Sequence, residues 1–178
     1  VDTHTHMIQT YQKGPLDDIP ITQWLGHLFR NEGVMTDEDT YYSALVGCLQ
    51  SLRYGVTTIN EMTVHDHIDS IVQAYTTAGI RATFGVSTND ISENPDTVVR
   101  TVDQNLKIVE DLMHKYHMKN NGMLRTSAAP PGLPAGSERL MKELKAFTNK
   151  NGLIFHTHLA EGKKETEDVK ARTGFWEG

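Results

Sequence analysis

The sequence has very little cysteine, no long apolar run and no dense block of basic residues, and each shortage excludes something. A single cysteine, Cys48, cannot close an internal disulfide. A disulfide-held secreted scaffold is therefore excluded, and a reducing, cytoplasmic setting is expected. No apolar stretch approaches the roughly 20 residues that cross a bilayer, so no membrane partner is expected. The chain opens on a polar, histidine-bearing segment, which does not read as a signal peptide. Lysine and arginine number 17 against 23 aspartates and glutamates, for a net charge of -6, and the basic residues are scattered. That balance argues against nucleic acid as a partner. No low-complexity segment or linker interrupts the 178 residues, so residues 1–178 are expected to form one domain with a real core.

What the chain does have is histidine, nine in all, within a regular alternation of strand-like and helix-like segments. Val1 to Met7 reads as a first strand, followed by an irregular stretch with Gly14, Pro15 and Pro20 and a short helix over Ile21 to Phe29. Thr36-Asp37-Glu38-Asp39 supplies an N-cap hydroxyl and acidic first-turn residues for the next helix. Tyr42, Leu45, Leu49 and Leu52 give that helix an apolar stripe, and Gly55 ends it. Val56 to Met62 is a second strand, and a helix marked by Ile68, Ile71, Val72 and Tyr75 closes at Gly79. Ile80 to Ser87 is a third strand. Pro95 then sits where a long helix should begin, with a stripe from Val98 through Val102, Leu106, Val109 and Met113 to Tyr116. Met123 to Ala129 is a fourth strand, Ser137 caps a helix ended by Gly152, Leu153 to Glu161 is a fifth strand, and a charged helix follows.

Five βα units fit either an open doubly wound sheet or the first part of a (β/α)8 barrel. No glycine-rich phosphate loop follows the first strand, as a dinucleotide fold requires. The polar residues instead gather at strand ends, with His4 and His6 ending strand one and His158 and Glu161 ending strand five. Barrels carry their chemistry at the C-terminal ends of strands. The expected fold is therefore α/β, a partial TIM (β/α)8 barrel.

His4 and His6 lie two apart, and the period-two alternation of a strand turns both imidazoles to one face, where both can reach one cation. The segment from Phe155 to Glu161 repeats the arrangement with His156 and His158 and adds a carboxylate three residues on. Neutral imidazoles suit zinc and similar divalent ions, and a carboxylate beside such a site can take and return a proton.

Three stretches carry a family resemblance: Val-Asp-Thr-His-Thr-His-Met at 1–7, Tyr-Gly-Val-Thr-Thr-Ile-Asn-Glu-Met at 54–62, and His-Thr-His-Leu-Ala-Glu at 156–161. With them the chain resembles the amidohydrolase superfamily, in its cytosine deaminase-like and chlorohydrolase-like branch, over nearly its whole length. The resemblance implies that His4, His6 and His158 are metal ligands, that Glu161 is the catalytic acid/base, and that His156 is structural or supports a ligand rather than being one. It also implies hydrolysis of a non-peptide C–N bond, deaminase-like, in a small cyclic or heteroaromatic molecule. Binuclear relatives use a carboxylated lysine at the end of strand four. Here Arg125-Thr126-Ser127-Ala128 offers none, so one divalent metal is expected, zinc first, with iron or manganese also compatible with imidazole.

Against the family pattern, a histidine after the next strand and an aspartate near the last strand would lie beyond Gly178, and a small β-sandwich segment would precede Val1. The expectation is a truncated barrel in which three histidines bind metal weakly. The loop after strand four, Ala128-Ala129-Pro130-Pro131-Gly132, also lacks the substrate-holding histidine of many relatives. The alternative function is a catalytically inactive, self-associating barrel fragment with a vestigial site. Outer strands left unpaired favour homo-oligomers in either case.

Weaker signals read as structural. His65 and His67 are loop or capping residues, His114 and His117 lie on a solvated helix face, Cys48 is a small core residue, and Trp24 and Phe29 are packing residues. Glu61, at the end of strand two, is expected to point towards the barrel mouth, where supporting the metal ligands and a purely structural role are equally open.

Overall fold

A computed structural model describes residues 1–14, 17–64, 66–92 and 97–176. The elements run in the order β1 (Asp2–Thr5), a 3-10 helix (Met7–Gln12), α1 (Ile21–Glu32), α2 (Asp37–Arg53), β2 (Thr58–Thr63) and α3 (Ile68–Ala78). They continue with β3 (Arg81–Val86), α4 (Val102–Tyr116), β4 (Leu124–Ala128), α5 (Glu138–Asn151), β5 (Ile154–Phe155) and α6 (Lys163–Thr173). The five strands are parallel and lie in the order β1-β2-β3-β4-β5, forming the curled half of a barrel. Among the described residues, no helix is long and apolar enough to cross a membrane.

The core lies between the sheet and its helices. Ile59 of β2 and Phe84 of β3 pack with Ala44 and Cys48 of α2 and with Ile71 and Tyr75 of α3, while Met7 and Ile8 join from the 3-10 helix. A second cluster joins Val109 of α4, Ala128 of β4 and Leu140 and Leu144 of α5. Inside the sheet the strands approach closely at Gly85. A Cβ there would fall 2.7 Å from the Ser127 carbonyl oxygen and from the Ala129 Cβ.

Several boundaries differ from the sequence reading for identifiable reasons. The buried face of α2 is Thr40, Ser43, Ala44, Gly47 and Cys48, whereas Tyr42 and Leu49 are 54% and 50% exposed. Small residues win that face because the helix lies close to the 3-10 segment: a Cβ on Gly47 would sit 2.6 Å from Thr10 Oγ1. Pro95 lies outside the described residues, and α4 starts at Val102 rather than near that proline. Thr101 accepts the Gln104 amide while the Gln104 side chain accepts the Thr101 amide, a reciprocal cap that fixes the start and leaves Val98 outside, 58% exposed. The fifth strand is much shorter than expected. After His156 N–H donates to the Ala128 carbonyl at 2.9 Å, the next rung would need an N–H from Pro130, which has none. The capping box at Thr36 and Asp39 and the left-handed glycine caps at Gly79 and Gly152 are as read from the sequence.

The close approach at Gly85 makes a specific demand. Gly85→Ala is expected to lower stability by about 1–3 kcal/mol, since its methyl meets the Ser127 carbonyl and the Ala129 Cβ, neither of which can swing away. Urea unfolding midpoints check this, and an unchanged midpoint would show that β3 and β4 can separate without cost.

Candidate metal centre

The first histidine segment is not a plain strand. Between Asp2, opposite Ile59, and Thr5, opposite Glu61, β1 advances three residues against two of β2, so His4 sits in a bulge. Bulges turn a side chain away from simple alternation. His6 lies just past the strand, with φ -132° and ψ 84°, at the entry to the 3-10 helix. His158 follows β5 in the loop released from the ladder. The three imidazoles nevertheless converge. His4 Nε2 is 3.1 Å and His6 Nε2 3.3 Å from His158 Nε2. Among the described residues, His4, His6 and His158 are the only group of three or more histidine, cysteine or acidic side chains whose ligand atoms lie within 4.8 Å of one another.

The ring partners decide what these nitrogens are. His6 Nδ1 lies 2.7 Å from the Met62 carbonyl oxygen, and His158 Nδ1 lies 2.8 Å from that of Pro131. A carbonyl only accepts, so each Nδ1 carries the proton and each Nε2 presents a lone pair. Two lone pairs 3.3 Å apart repel each other unless a cation stands between them. Tetrahedral zinc with bonds of about 2.0–2.1 Å separates its nitrogens by roughly 3.3–3.4 Å, so the donor set fits such an ion. His4 Nδ1 is 2.8 Å from His156 Nε2. When His4 donates there, its own Nε2 is free for the same cation, and His156 must carry its proton on Nδ1. That Nδ1 is buried and has no partner among the described residues.

Electrostatics favour neutral rings. Burial pushes His6 down to about 4, only partly opposed by its bond to Met62. Burial and the neighbouring His4 and His158 push His156 to about 4. His4 is lowered by burial and by His158, with Glu161 pulling the other way. Glu161 is exposed and stands outside the three-nitrogen group. It follows Ala160, which holds the left-handed φ of 55°, and its amide donates to Glu165 Oε2 at 3.1 Å. A non-glycine residue in that region is a local cost found mostly where a turn must aim a side chain.

The remaining residues singled out in the sequence fall elsewhere. Glu61 does not face the barrel mouth. It is fully buried towards the helices, where Oε1 accepts the Met7 amide at 3.0 Å and Oε2 accepts the Tyr75 hydroxyl at 2.7 Å. His117 is not a solvated residue, because its Nδ1 accepts the Thr126 amide at 3.1 Å and covers the stretch of β4 below the start of β5. His114 is exposed, His65 lies outside the described residues, and His67 pairs with Asp37 at 2.8 Å on the surface. Cys48 is buried in the core, and Trp24 and Phe29 are half-buried on α1. The Met62 and Pro131 carbonyls had no side-chain signal by which the sequence could reveal them.

With the geometry in place, comparisons with known proteins give a consistent result. The profile described as the amidohydrolase family matches residues 1–175. The chain is 30% identical over 175 residues to 5'-deoxyadenosine deaminase of Methanothermobacter thermautotrophicus, covering 98% of this chain and 39% of that protein. It is 26% identical to 5-methylthioadenosine/S-adenosylhomocysteine deaminase of Syntrophobacter fumaroxidans, covering 98% of this chain and 38% of that protein. Among solved structures, a zinc complex of atrazine chlorohydrolase from Arthrobacter aurescens TC1 superposes with a TM-score of 0.88 at 22% identity, covering 98% of this chain and 43% of that one. The chain thus spans about two-fifths of the length of the curated relatives it matches.

The buried groups around the site set a pH dependence with two limbs. Burial pushes the Glu61 carboxyl from its ordinary 4.5 up to about 8, and Glu32 up to about 7. The folded chain therefore keeps protons that the unfolded chain releases. Their stabilising effect is complete below about pH 4.5 and is lost as pH rises towards 8. His6 and His156, lowered from 6.5 to about 4, act oppositely: their contribution is complete above 6.5 and is lost as pH falls towards 4. Glu61→Gln is expected to flatten the alkaline limb of the metal-free chain, measured as urea midpoint against pH. An alkaline slope identical to that of the parent would contradict this.

Proposed function

This chain belongs to the amidohydrolase family, and on that premise we propose that residues 1–178 form one domain, a part of a barrel that carries the metal-binding side of a hydrolytic site. His4, His6 and His158 hold one divalent cation, zinc in preference to iron or manganese. Glu161 is the general acid/base in deaminase-like hydrolysis of a C–N bond in a small cyclic or heteroaromatic molecule. The observation that supports this most strongly is the convergence of three Nε2 atoms whose tautomers are set by outside partners. The names of the curated relatives favour an aminopurine as substrate.

A cation bound there supplies Lewis acidity that activates water for attack at neutral pH. The chain's own residues do the rest. His6 and His158 are oriented by carbonyls that hold the proton on Nδ1, and His156 orients His4. Glu161, exposed and close enough to His4 to raise its pKa, takes the proton of the attacking water and delivers it to the leaving nitrogen as the C–O bond forms and the C–N bond breaks.

The net charge of -6 supports a small-molecule partner rather than nucleic acid, and the lone buried Cys48 supports a cytoplasmic setting. A second reading is an inactive, self-associating barrel fragment with a vestigial site.

Metal content separates the two. Protein incubated with excess zinc is expected to take up close to one zinc per chain by plasma mass spectrometry, and His158→Ala is expected not to. No metal after incubation with excess zinc would favour the inactive reading. Glu161→Gln is expected to keep the metal. In a protein with the whole barrel it should cost about 10²–10⁴-fold in turnover, the range for removing a general acid/base. Retained turnover would remove Glu161 from the proton path.

A further inference from the structure

We infer that Glu61 is a positioning residue for the three-histidine site: its buried carboxyl fixes the peptide that follows His6 and so holds His6 against the carbonyl that selects its metal-binding tautomer. The inference rests on the three-histidine reading above.

Two successive residues of β2 act on two successive residues of the ligand segment. The Glu61 side chain accepts the Met7 amide at 3.0 Å, and the Met62 carbonyl accepts from His6 Nδ1 at 2.7 Å. The backbone cannot provide the first of these bonds by itself. β1 ends at Thr5, and Met7 opens the 3-10 helix, whose first amides have no partner within the helix. His6 provides no side-chain cap for it. A buried amide left alone carries the full cost of desolvation, and Glu61 removes that cost from a neighbouring strand.

Both backbone polar groups of Met7 are held. Its carbonyl accepts the Thr10 hydroxyl at 2.8 Å, and the missing Cβ of Gly47 leaves the room that Met7 Sδ and Thr10 Oγ1 occupy. The far oxygen of Glu61 is held in turn by the Tyr75 hydroxyl at 2.7 Å, which ties the ligand segment to α3. Glu61 is therefore one link in a chain running from α3 through the carboxyl and Met7 to His6. It is not a ligand, since it lies outside the group of converging nitrogens. Glutamine keeps a carbonyl oxygen for the Met7 amide and places an amide donor against the Tyr75 hydroxyl oxygen, so it preserves both contacts.

The test compares Glu61→Gln, Glu61→Leu and Leu144→Ala, the last a control in the separate α4–α5 cluster. Each is titrated with cobalt(II) and followed by the d–d bands of a tetrahedral site. Glu61→Gln is expected to stay within about threefold of the parent. Glu61→Leu is expected to weaken cobalt binding by about 10–100-fold, as loss of an outer-shell partner does. Leu144→Ala is expected to lower thermal stability and leave the affinity within about threefold. Nitrogen-15 NMR of histidine in the metal-free chains is expected to show the Nδ1–H tautomer of His6 in the parent and in Glu61→Gln, and a mixture in Glu61→Leu. An unchanged His6 tautomer and cobalt affinity in Glu61→Leu would overturn the proposal, as would equal weakening in Leu144→Ala. If the parent binds no cobalt, the metal reading fails, and the His6 tautomer alone decides the role of Glu61. If Glu61→Leu does not fold, Tyr75→Phe takes its place: a shifted His6 tautomer supports the link, and an unshifted one overturns it.

Discussion

The hydrogen bonds from two imidazoles to two main-chain carbonyls, His6 to Met62 and His158 to Pro131, are what the site depends on. Without them each ring could carry its proton on either nitrogen, and three histidines near one another would be a polar cluster with several arrangements. With them the protons are committed to the outer nitrogens, and the inner ones become lone pairs facing a common point. Burial adds to this by keeping His6 and His156 neutral well below neutral pH. The result is a donor set whose internal repulsion a single cation relieves.

Those carbonyls are available because of where the sheet is interrupted. Pro130 ends the β4–β5 ladder, which frees the chain after His156 to turn His158 back over the following loop. Gly132, at φ 142°, lets that loop run against the His158 carbonyl, with a virtual Cβ 3.4 Å away. On the other side, the bulge in β1 and the early change into a 3-10 helix take His4 and His6 out of regular alternation. Regular strands would leave these backbone groups paired with each other. The site exists where pairing stops, and the closely packed interior at Gly85 and Gly47 keeps those stops in place.

Much of this was legible in the residues. The alternation of elements, the Thr36 cap, the glycine stops at Gly79 and Gly152, and the two His-x-His pairs are local signals, and the fold follows from them. What was not legible depends on contacts between distant segments. Hydrophobic periodicity named Tyr42 and Leu49 as the inner face of α2, but close helix packing selects small residues, so Ala44, Gly47 and Cys48 took that face. Glu61 read as a mouth-facing carboxylate because it ends its strand, yet β2 pairs regularly with β3 and alternation puts Glu61 on the helix-facing side with Ile59. Its true partners, Met7 and Tyr75, are 54 and 14 residues away. His117 looked solvated because its helix face is polar, and only the short β5 exposes the amide it accepts. Backbone acceptors such as Met62 leave no trace in residue type at all.

The most direct test of the three-histidine site is anomalous X-ray diffraction at the zinc absorption edge from crystals of this chain grown with zinc. One strong peak is expected about 2.0–2.1 Å from the Nε2 atoms of His4, His6 and His158, with the Nδ1 atoms of His6 and His158 still on their carbonyls. A peak bound through Nδ1, a peak only at surface histidines such as His67 or His114, or no peak at saturating zinc would contradict it.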